Sequence, residues 1–153
     1  MSGAFPFWEG FGMTTLSEHY RRLLGLDGTW QVVDVELSLE RQQVRIRLQG
    51  NRKARMCWAE CGGHRPRHDH APERSWRHLD TMQFETVLVA ATPRTKCPQC
   101  GVKTCRVPWA EPHGEFTLMF EVFAIRVLQA AGSVEQARVL LGLSWGCVHG
   151  IME

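Results

Sequence analysis

Four of the six cysteines fall into two close pairs, each followed directly by glycine. The first pair lies in Cys57-Trp58-Ala59-Glu60-Cys61-Gly62-Gly63 and the second in Lys96-Cys97-Pro98-Gln99-Cys100-Gly101. Thiolates at this spacing converge on one ion when the chain turns tightly between them. Glycine after the second cysteine supplies the backbone freedom for that turn. Four thiolates in a tetrahedron suit Zn²⁺ and leave no coordination position open for catalysis. The chemistry expected of Cys57, Cys61, Cys97 and Cys100 is therefore a structural Zn²⁺ site.

Cys97-x2-Cys100 has the usual knuckle spacing, and Cys57-x3-Cys61 is one residue wider but within range. The 35 residues between the pairs exceed the ~15–20 of the common template, which a long hairpin between knuckles accommodates. His68 and His70, in Arg67-His68-Asp69-His70, are alternative ligands in place of Cys61, as is Cys105, five residues past the second knuckle. Four buried thiols without metal are the competing interpretation. Cys147 falls in a helical pattern, where a small buried thiol is the ordinary role. No secretory signal is evident, so a reducing compartment is expected and a disulfide framework is disfavoured.

The elements that must position these residues follow from periodicity. Residues 1–12 hold four aromatics among Gly and Pro without periodicity and are expected to form a flexible extension, with Met13 as an alternative initiator. A helix is expected from Thr15 to Leu24, capped by Ser17 and ended by Gly25. Trp30 to Leu39 and Val44 to Leu48 alternate with period two, which predicts a hairpin with one apolar face and arginines outward. Between the knuckles, Arg65 to Arg77 reads as a polar loop, Trp76 to Leu79 as a short strand, and Phe84 to Ala91 as a stronger one. Pro108 and Pro112 mark a linker around Trp109.

The composition then becomes helical. Phe116, Phe120, Phe123, Val127 and Ala130 recur at three- and four-residue steps over 116–131. Ser133, with Gln136 three residues on, has the capping-box form at the start of a helix Val134 to Leu141. Gly142-Leu143-Ser144 is a tight turn, and Ser144 caps a third helix running to Glu153. Helix, glycine-containing turn, helix is the helix-turn-helix outline. A helical hairpin used only for packing is the plainer alternative.

The fold class expected is α+β, with an N-terminal helix and β-hairpin, a zinc ribbon, and an all-α helix-turn-helix segment. The boundaries expected are 1–14 for the extension, 15–50 for helix plus hairpin, 51–107 for the ribbon, 108–115 for the linker and 116–153 for the helix-turn-helix. The net charge of +2 says little, but residues 51–115 carry eleven Arg/Lys against seven Asp/Glu, with five of the seven histidines. A localised basic excess fits a phosphate-binding footprint, though a mixed solvated surface accounts for it too. No apolar run approaches the ~18 residues of a membrane span.

Assembled in this order, the parts resemble the N-terminal region of the insertion-sequence transposases of the ISL-three group. The likeness rests on Tyr20-Arg-Arg-Leu-Leu-Gly-Leu26 before the hairpin, Trp76-Arg-His-Leu-Asp80 before the strand and Cys97-Pro-Gln-Cys-Gly101 knuckle, Val107-Pro-Trp-Ala-Glu111, and Leu140-Leu-Gly-Leu-Ser-Trp145 in the turn. The match spans about residues 15–153. In that family a zinc ribbon and helix-turn-helix precede an acidic, RNase-H-like catalytic domain. The resemblance implies binding to double-stranded DNA at the terminal inverted repeats of a mobile element. It also implies a cytoplasmic, nucleoid-associated location, with a homo-oligomer or the full-length transposase as possible protein partners. The family commonly has Cys-Pro-x-Cys at the first knuckle, so Cys61 is the ligand on which this chain departs from the pattern. The sequence stops at Glu153, near the end of the third helix. The expectation is a binding module that does not itself cut or join DNA.

On this reading the third helix enters the major groove N-terminus first, offering Ser144, Trp145 and His149. It contains no Arg or Lys, so the common bidentate guanine contact is not available from it. Arg52, Lys53, Arg55, Arg65, Arg67, Arg74 and Arg77 of the ribbon are expected to supply the phosphate affinity.

Enzyme readings fare worse. His113-Gly114-Glu115 follows rather than precedes the cysteines, the reverse of a zinc deaminase, and no proline immediately precedes Cys97. A thioredoxin-like dithiol needs a βαβ setting that is lacking here. No phosphate loop, nucleophile elbow, small-molecule site or membrane segment is evident. The remaining rival is a protein-binding adaptor or truncated inhibitor of transposition.

Overall fold

The computed structural model describes residues 15–52, 56–57 and 64–153, with backbone alone at 56, 57, 64 and 65. The helix α1 (Leu16–Leu23) is followed by the strands β1 (Trp30–Ser38) and β2 (Gln43–Gly50). Short strands β3 (Met56–Cys57) and β4 (His64–Arg65) come next, then long β5 (Arg67–Thr81) and β6 (Phe84–Cys97), and β7 (Gly101–Thr104). The helices α2 (Leu118–Ala130), α3 (Val134–Leu141) and α4 (Trp145–Met152) complete the chain. Among the described residues no helix is long and apolar enough to cross a membrane.

The protein is mixed α and β, as expected, but the sheet disregards the expected segment boundaries. The strand order is β1-β2-β6-β5, with β7 also on β6. The expected N-terminal hairpin and the expected ribbon strands therefore form one sheet. β6 pairs parallel with β2 over Glu85–Val89 and antiparallel with β5 along its other edge. Beyond β2, the same β6 edge takes β7 at Arg94–Cys97. Val44, Ile46 and Leu48 turn inward while Arg45 and Arg47 face away, as the alternation required. The stretch 65–77, expected as a loop, is mostly strand. Its polar residues are tolerated because β5 is an edge strand with one face wet, and its period-two alternation Trp76, His78 is the buried set.

The cap of α1 is Thr15 rather than Ser17. The Thr15 hydroxyl accepts the Glu18 amide at 3.2 Å, leaving Ser17 inside the first turn. Gly25 ends the helix at φ +63°, a conformation costly to residues with a Cβ.

The main core packs Leu24, Leu26, Trp30, Ile46, Leu48, Trp76 and Leu88 against Trp109 and Ala110. The stretch 108–115 is thus not a loose linker. Trp109 is only 6% exposed and meets Trp30 and Trp76 edge-on, with ring centroids 4.7 and 5.5 Å away. Edge-to-face contact of this kind places a positive ring edge on a negative ring face.

A second core gathers Phe120, Ala124, Leu141, Leu143 and Val148, with Leu79 of β5 packed against it. α2 begins at Thr117, whose hydroxyl accepts the Phe120 amide at 3.2 Å. Phe123 belongs to the three- and four-residue pattern of 116–131, yet it is half-exposed. The helix is phased by Phe120, Ala124 and Val127, and Phe123 lies about 100° round from Ala124.

These two cores are joined by backbone. The amide of Arg77 donates to the Glu115 carbonyl and that of Thr117 to the Arg77 carbonyl, both at 2.9 Å, making a parallel bridge on the free edge of β5. The Leu118 amide donates to the Trp109 carbonyl at 2.8 Å. The helical segment is consequently fixed to the sheet rather than tethered to it.

Beside that bridge, His78 is buried with Nδ1 2.8 Å from Thr117 Oγ1. Oγ1 accepts from the Phe120 amide and keeps its own proton to donate, an arrangement compatible with a neutral imidazole at His78. Burial pushes the His78 pKa below its ordinary value of 6.5. The unfolded chain then binds more protons than the folded one between the folded pKa and about 6.5. Stability should be full above pH 6.5 and decline as pH falls toward the folded pKa. Urea unfolding across that window is expected to show this decline in the parent and a flatter profile in His78→Gln.

Candidate metal centre and nucleic-acid interface

The second knuckle is built by a β-hairpin. β6 ends at Cys97, residues 98–100 form the turn, and Gly101 opens β7 opposite Cys97. Gly101 has φ +76°, the left-handed conformation that the glycine after the second cysteine was expected to supply. Cys97 is buried at the end of β6 and Cys100 half-buried in the turn.

The first knuckle shares the outline at the level of backbone. β3 ends at Cys57, which pairs with His64 across a two-residue antiparallel ladder. Cys61 and the side chain of Cys57 lie outside the described residues. β4 leads into β5 and lies against β6, and β5 pairs beside the second knuckle, Arg67 opposite Thr95. β3 and β4 form a separate two-stranded sheet whose second strand lies beside β6.

The alternative ligands lie on β5 and at the end of β7. Cys105 donates its amide to the Pro93 carbonyl at 2.8 Å, four residues down β6 from Cys97, or ~13 Å along a strand. His70 is also opposite Pro93 and its Nε2 is 3.3 Å from an Arg67 guanidinium nitrogen. His68 is exposed on β5. Among the described residues no three His, Cys, Asp or Glu side chains gather as a metal site.

The expected phosphate-binding arginines divide into distinct roles. Arg52 is exposed, whereas Lys53 and Arg55 lie outside the described residues, as does the side chain of Arg65. Arg67 donates to the carbonyls of Gly50 and Asn51, at 3.3 and 2.9 Å, and so ties the exit of β2 to β5. Arg74 stacks over the Trp76 ring at 5.0 Å and donates to the Gly114 carbonyl at 3.0 Å.

Arg77 departs furthest from the expectation. It is paired with Asp80 at 3.1 Å and Glu85 at 3.3 Å, lies over the Phe120 ring at 5.1 Å, and its side chain is 16% exposed. An arginine with two carboxylates and a ring face is spent inside the protein, so Arg77 is a brace between sheet and helices.

The helix-turn-helix has the expected caps. Ser133 accepts the Gln136 amide and Ser144 the Cys147 amide, both at 3.2 Å. Gly142 takes φ +63° in the turn between them. Ala137 of α3 is completely buried. On α4, Val148 points into the second core while Ser144, Trp145 and His149 are exposed. Trp145 and His149, four residues apart, share one face.

One residue escaped sequence reasoning. The third helix lacks cations, but Arg138 of α3 lies over the Trp145 ring at 5.6 Å. It also donates to the Leu143 carbonyl at 3.0 Å and pairs with Glu135 at 2.7 Å. Arg138 thus braces the turn and puts a guanidinium at the start of α4. Seven residues of separation across a turn leave no periodic signal for such a contact.

Comparison with known families agrees with this geometry. Residues 59–100 match the zinc-finger of transposase IS204/IS1001/IS1096/IS1165, and residues 105–153 match the helix-turn-helix domain of transposase family ISL3. The first match contains Cys61, Cys97 and Cys100 and begins two residues after Cys57. No curated protein and no solved structure matches the chain. With a knuckle hairpin at the end of β6 and a capped, glycine-turned helix pair docked on the same sheet, the chain belongs to the ISL3 group of transposases, whose zinc ribbon and helix-turn-helix DNA-binding region it carries.

Proposed function

We propose that this chain recognises the terminal inverted repeats of a mobile element by inserting the N-terminal end of α4 into the major groove. The observation that carries this reading is the exposed face of Ser144, Trp145 and His149 on a helix whose opposite side is anchored by Val148. A helix-turn-helix presents its second helix in this way. Arg52, with Lys53, Arg55 and Arg65, supplies phosphate contacts from the ribbon, and Arg67 and Arg74 contribute through whatever guanidinium surface their internal contacts leave. Zn²⁺ held by Cys57, Cys61, Cys97 and Cys100 gives the ribbon rigidity and no reaction chemistry.

Fluorescence anisotropy with a duplex bearing the element's terminal repeat, against a scrambled duplex, tests the reading. The repeat should bind more tightly, and affinity for both should fall steeply as salt rises. Trp145→Ala and His149→Ala are expected to weaken repeat binding about tenfold each while barely changing scrambled binding, because each removes ~1–3 kcal/mol of groove contact. Arg52→Gln should weaken both duplexes alike and lower the salt slope by about 1. Equal affinity for the two duplexes would remove repeat recognition. Salt-insensitive capture of a full-length transposase instead would favour the adaptor or inhibitor role.

A further inference from the structure

A cavity of about 250 Å³ opens between β5, β6 and the 104–113 segment that leads into the helices. Its lining has a pronounced chemical bias. Arg74, Arg106 and His113 border it, together with Trp76 and Thr92. Trp76 and Thr92 are 1% and 2% exposed. Their Nε1 and Oγ1 atoms are buried without any hydrogen-bond partner. An unpartnered buried polar group costs free energy that a bound acceptor recovers. Its side-chain polar groups include three that only donate, two guanidinium groups and an indole N–H, beside two hydroxyls, a thiol and an imidazole that do both. Glu111 is the one carboxylate in the lining. Donors that outnumber acceptors in this way call for a ligand that only accepts.

We propose that this cavity is a phosphate-class oxyanion site. Inorganic phosphate and a backbone phosphodiester of bound DNA share the required chemistry. Guanidinium groups match the oxygen spacing of phosphate, and the unpartnered Trp76 and Thr92 donors belong to residues of the same lining. The volume exceeds that of a single tetrahedral anion, leaving room for the sugar attached to a phosphodiester. Because the 104–113 segment connects the ribbon strands to α2, an anion held here also clamps the junction on which α4 depends. The phosphodiester source rests on the DNA-binding reading proposed above, whereas the inorganic phosphate source stands independently of it.

Isothermal titration of the zinc-loaded full chain with sodium phosphate, at ionic strength matched with sodium chloride, tests the site. One-to-one saturable binding is expected. Arg106→Gln should weaken it about tenfold, since it removes a charge-assisted hydrogen bond. Thr92→Val should also weaken it while leaving thermal unfolding unchanged or slightly raised, because its hydroxyl has no partner to lose. Arg41→Gln, on the distant β1–β2 turn, should have no effect. If the anion is a DNA phosphodiester, Arg106→Gln and Thr92→Val also weaken duplex binding, and free phosphate competes with DNA. If free phosphate is the ligand, both variants bind duplex like the parent. Absence of saturable phosphate binding, together with parent-like duplex binding by both variants or no duplex binding at all, overturns the proposal. Phosphate binding that persists in a chain unable to bind duplex would sink the DNA reading and leave this site intact.

Discussion

Replacing Trp109 by alanine is expected to cost about 3–5 kcal/mol of folding stability, the range for removing a large aromatic from a packed core. Trp109 comes from the segment after the ribbon, yet it is wedged against Trp30 of β1 and Trp76 of β5. Its truncation removes two edge-to-face contacts and opens a cavity lined by rings that cannot collapse into it. The same residue's carbonyl accepts from Leu118 at the start of α2, so the loss should spread to the docking of the helices. Total stability for a domain is about 5–15 kcal/mol, and a loss of this size brings the chain close to unfolding. Urea unfolding followed by circular dichroism measures it. Trp109→Phe should retain more than half of the lost stability. A cost under ~1 kcal/mol for the alanine variant would mean that the three-tryptophan cluster does not organise the sheet.

Cys97→Ser is expected to abolish stoichiometric zinc binding, because a neutral hydroxyl replaces a thiolate ligand. From sequence, metal removal is expected to unfold the whole of 51–107 and spare the C-terminal helices. The structure narrows the consequence. β6 is held near its start by β2 and by Leu88 in the main core. Its far end, by contrast, pairs with β7 of the knuckle hairpin and with the first residues of β5 at Arg67 and Asp69. Hydrogen exchange after chelation should therefore become fast for amides of 94–104 and stay slow for 44–48 and 86–90. Simultaneous loss of protection at Ile46 and Leu88 would show that the ion supports the entire sheet. Metal analysis of the purified parent supplies the first check, and a zinc-free chain with unchanged exchange would remove the metal from the proposed function.

How much of this was legible beforehand depended on whether a signal was local. Ser133, Gly142 and Ser144 were readable because a cap and a left-handed turn are made by residues within three or four positions of one another. Gly101 was readable for the same reason. The period-two pattern of Val44, Ile46 and Leu48 likewise records which face of β2 is buried. By contrast, the edge position of β5 hid it. A wet strand rich in Arg, His and Glu has nearly the composition of a loop, and only its partner β6 makes it a strand. The surroundings of Arg77 were hidden in the same way, since its basic character is visible in sequence while Asp80, Glu85 and Phe120 around it are a product of packing.

The sequence by itself determined the knuckle turn at Cys97-x2-Cys100, the two serine caps, the glycine turn between the last helices and hence the family resemblance. Each is enforced by short-range sterics or hydrogen bonding that a few adjacent side chains decide. Only the tertiary structure decided that hairpin and ribbon strands share one sheet, that Trp109 lies in its core, and that α2 is bridged to β5 through Arg77 and Thr117. Those contacts join residues dozens of positions apart. They are selected by which apolar faces can be buried together, a competition among all segments at once that no local window records.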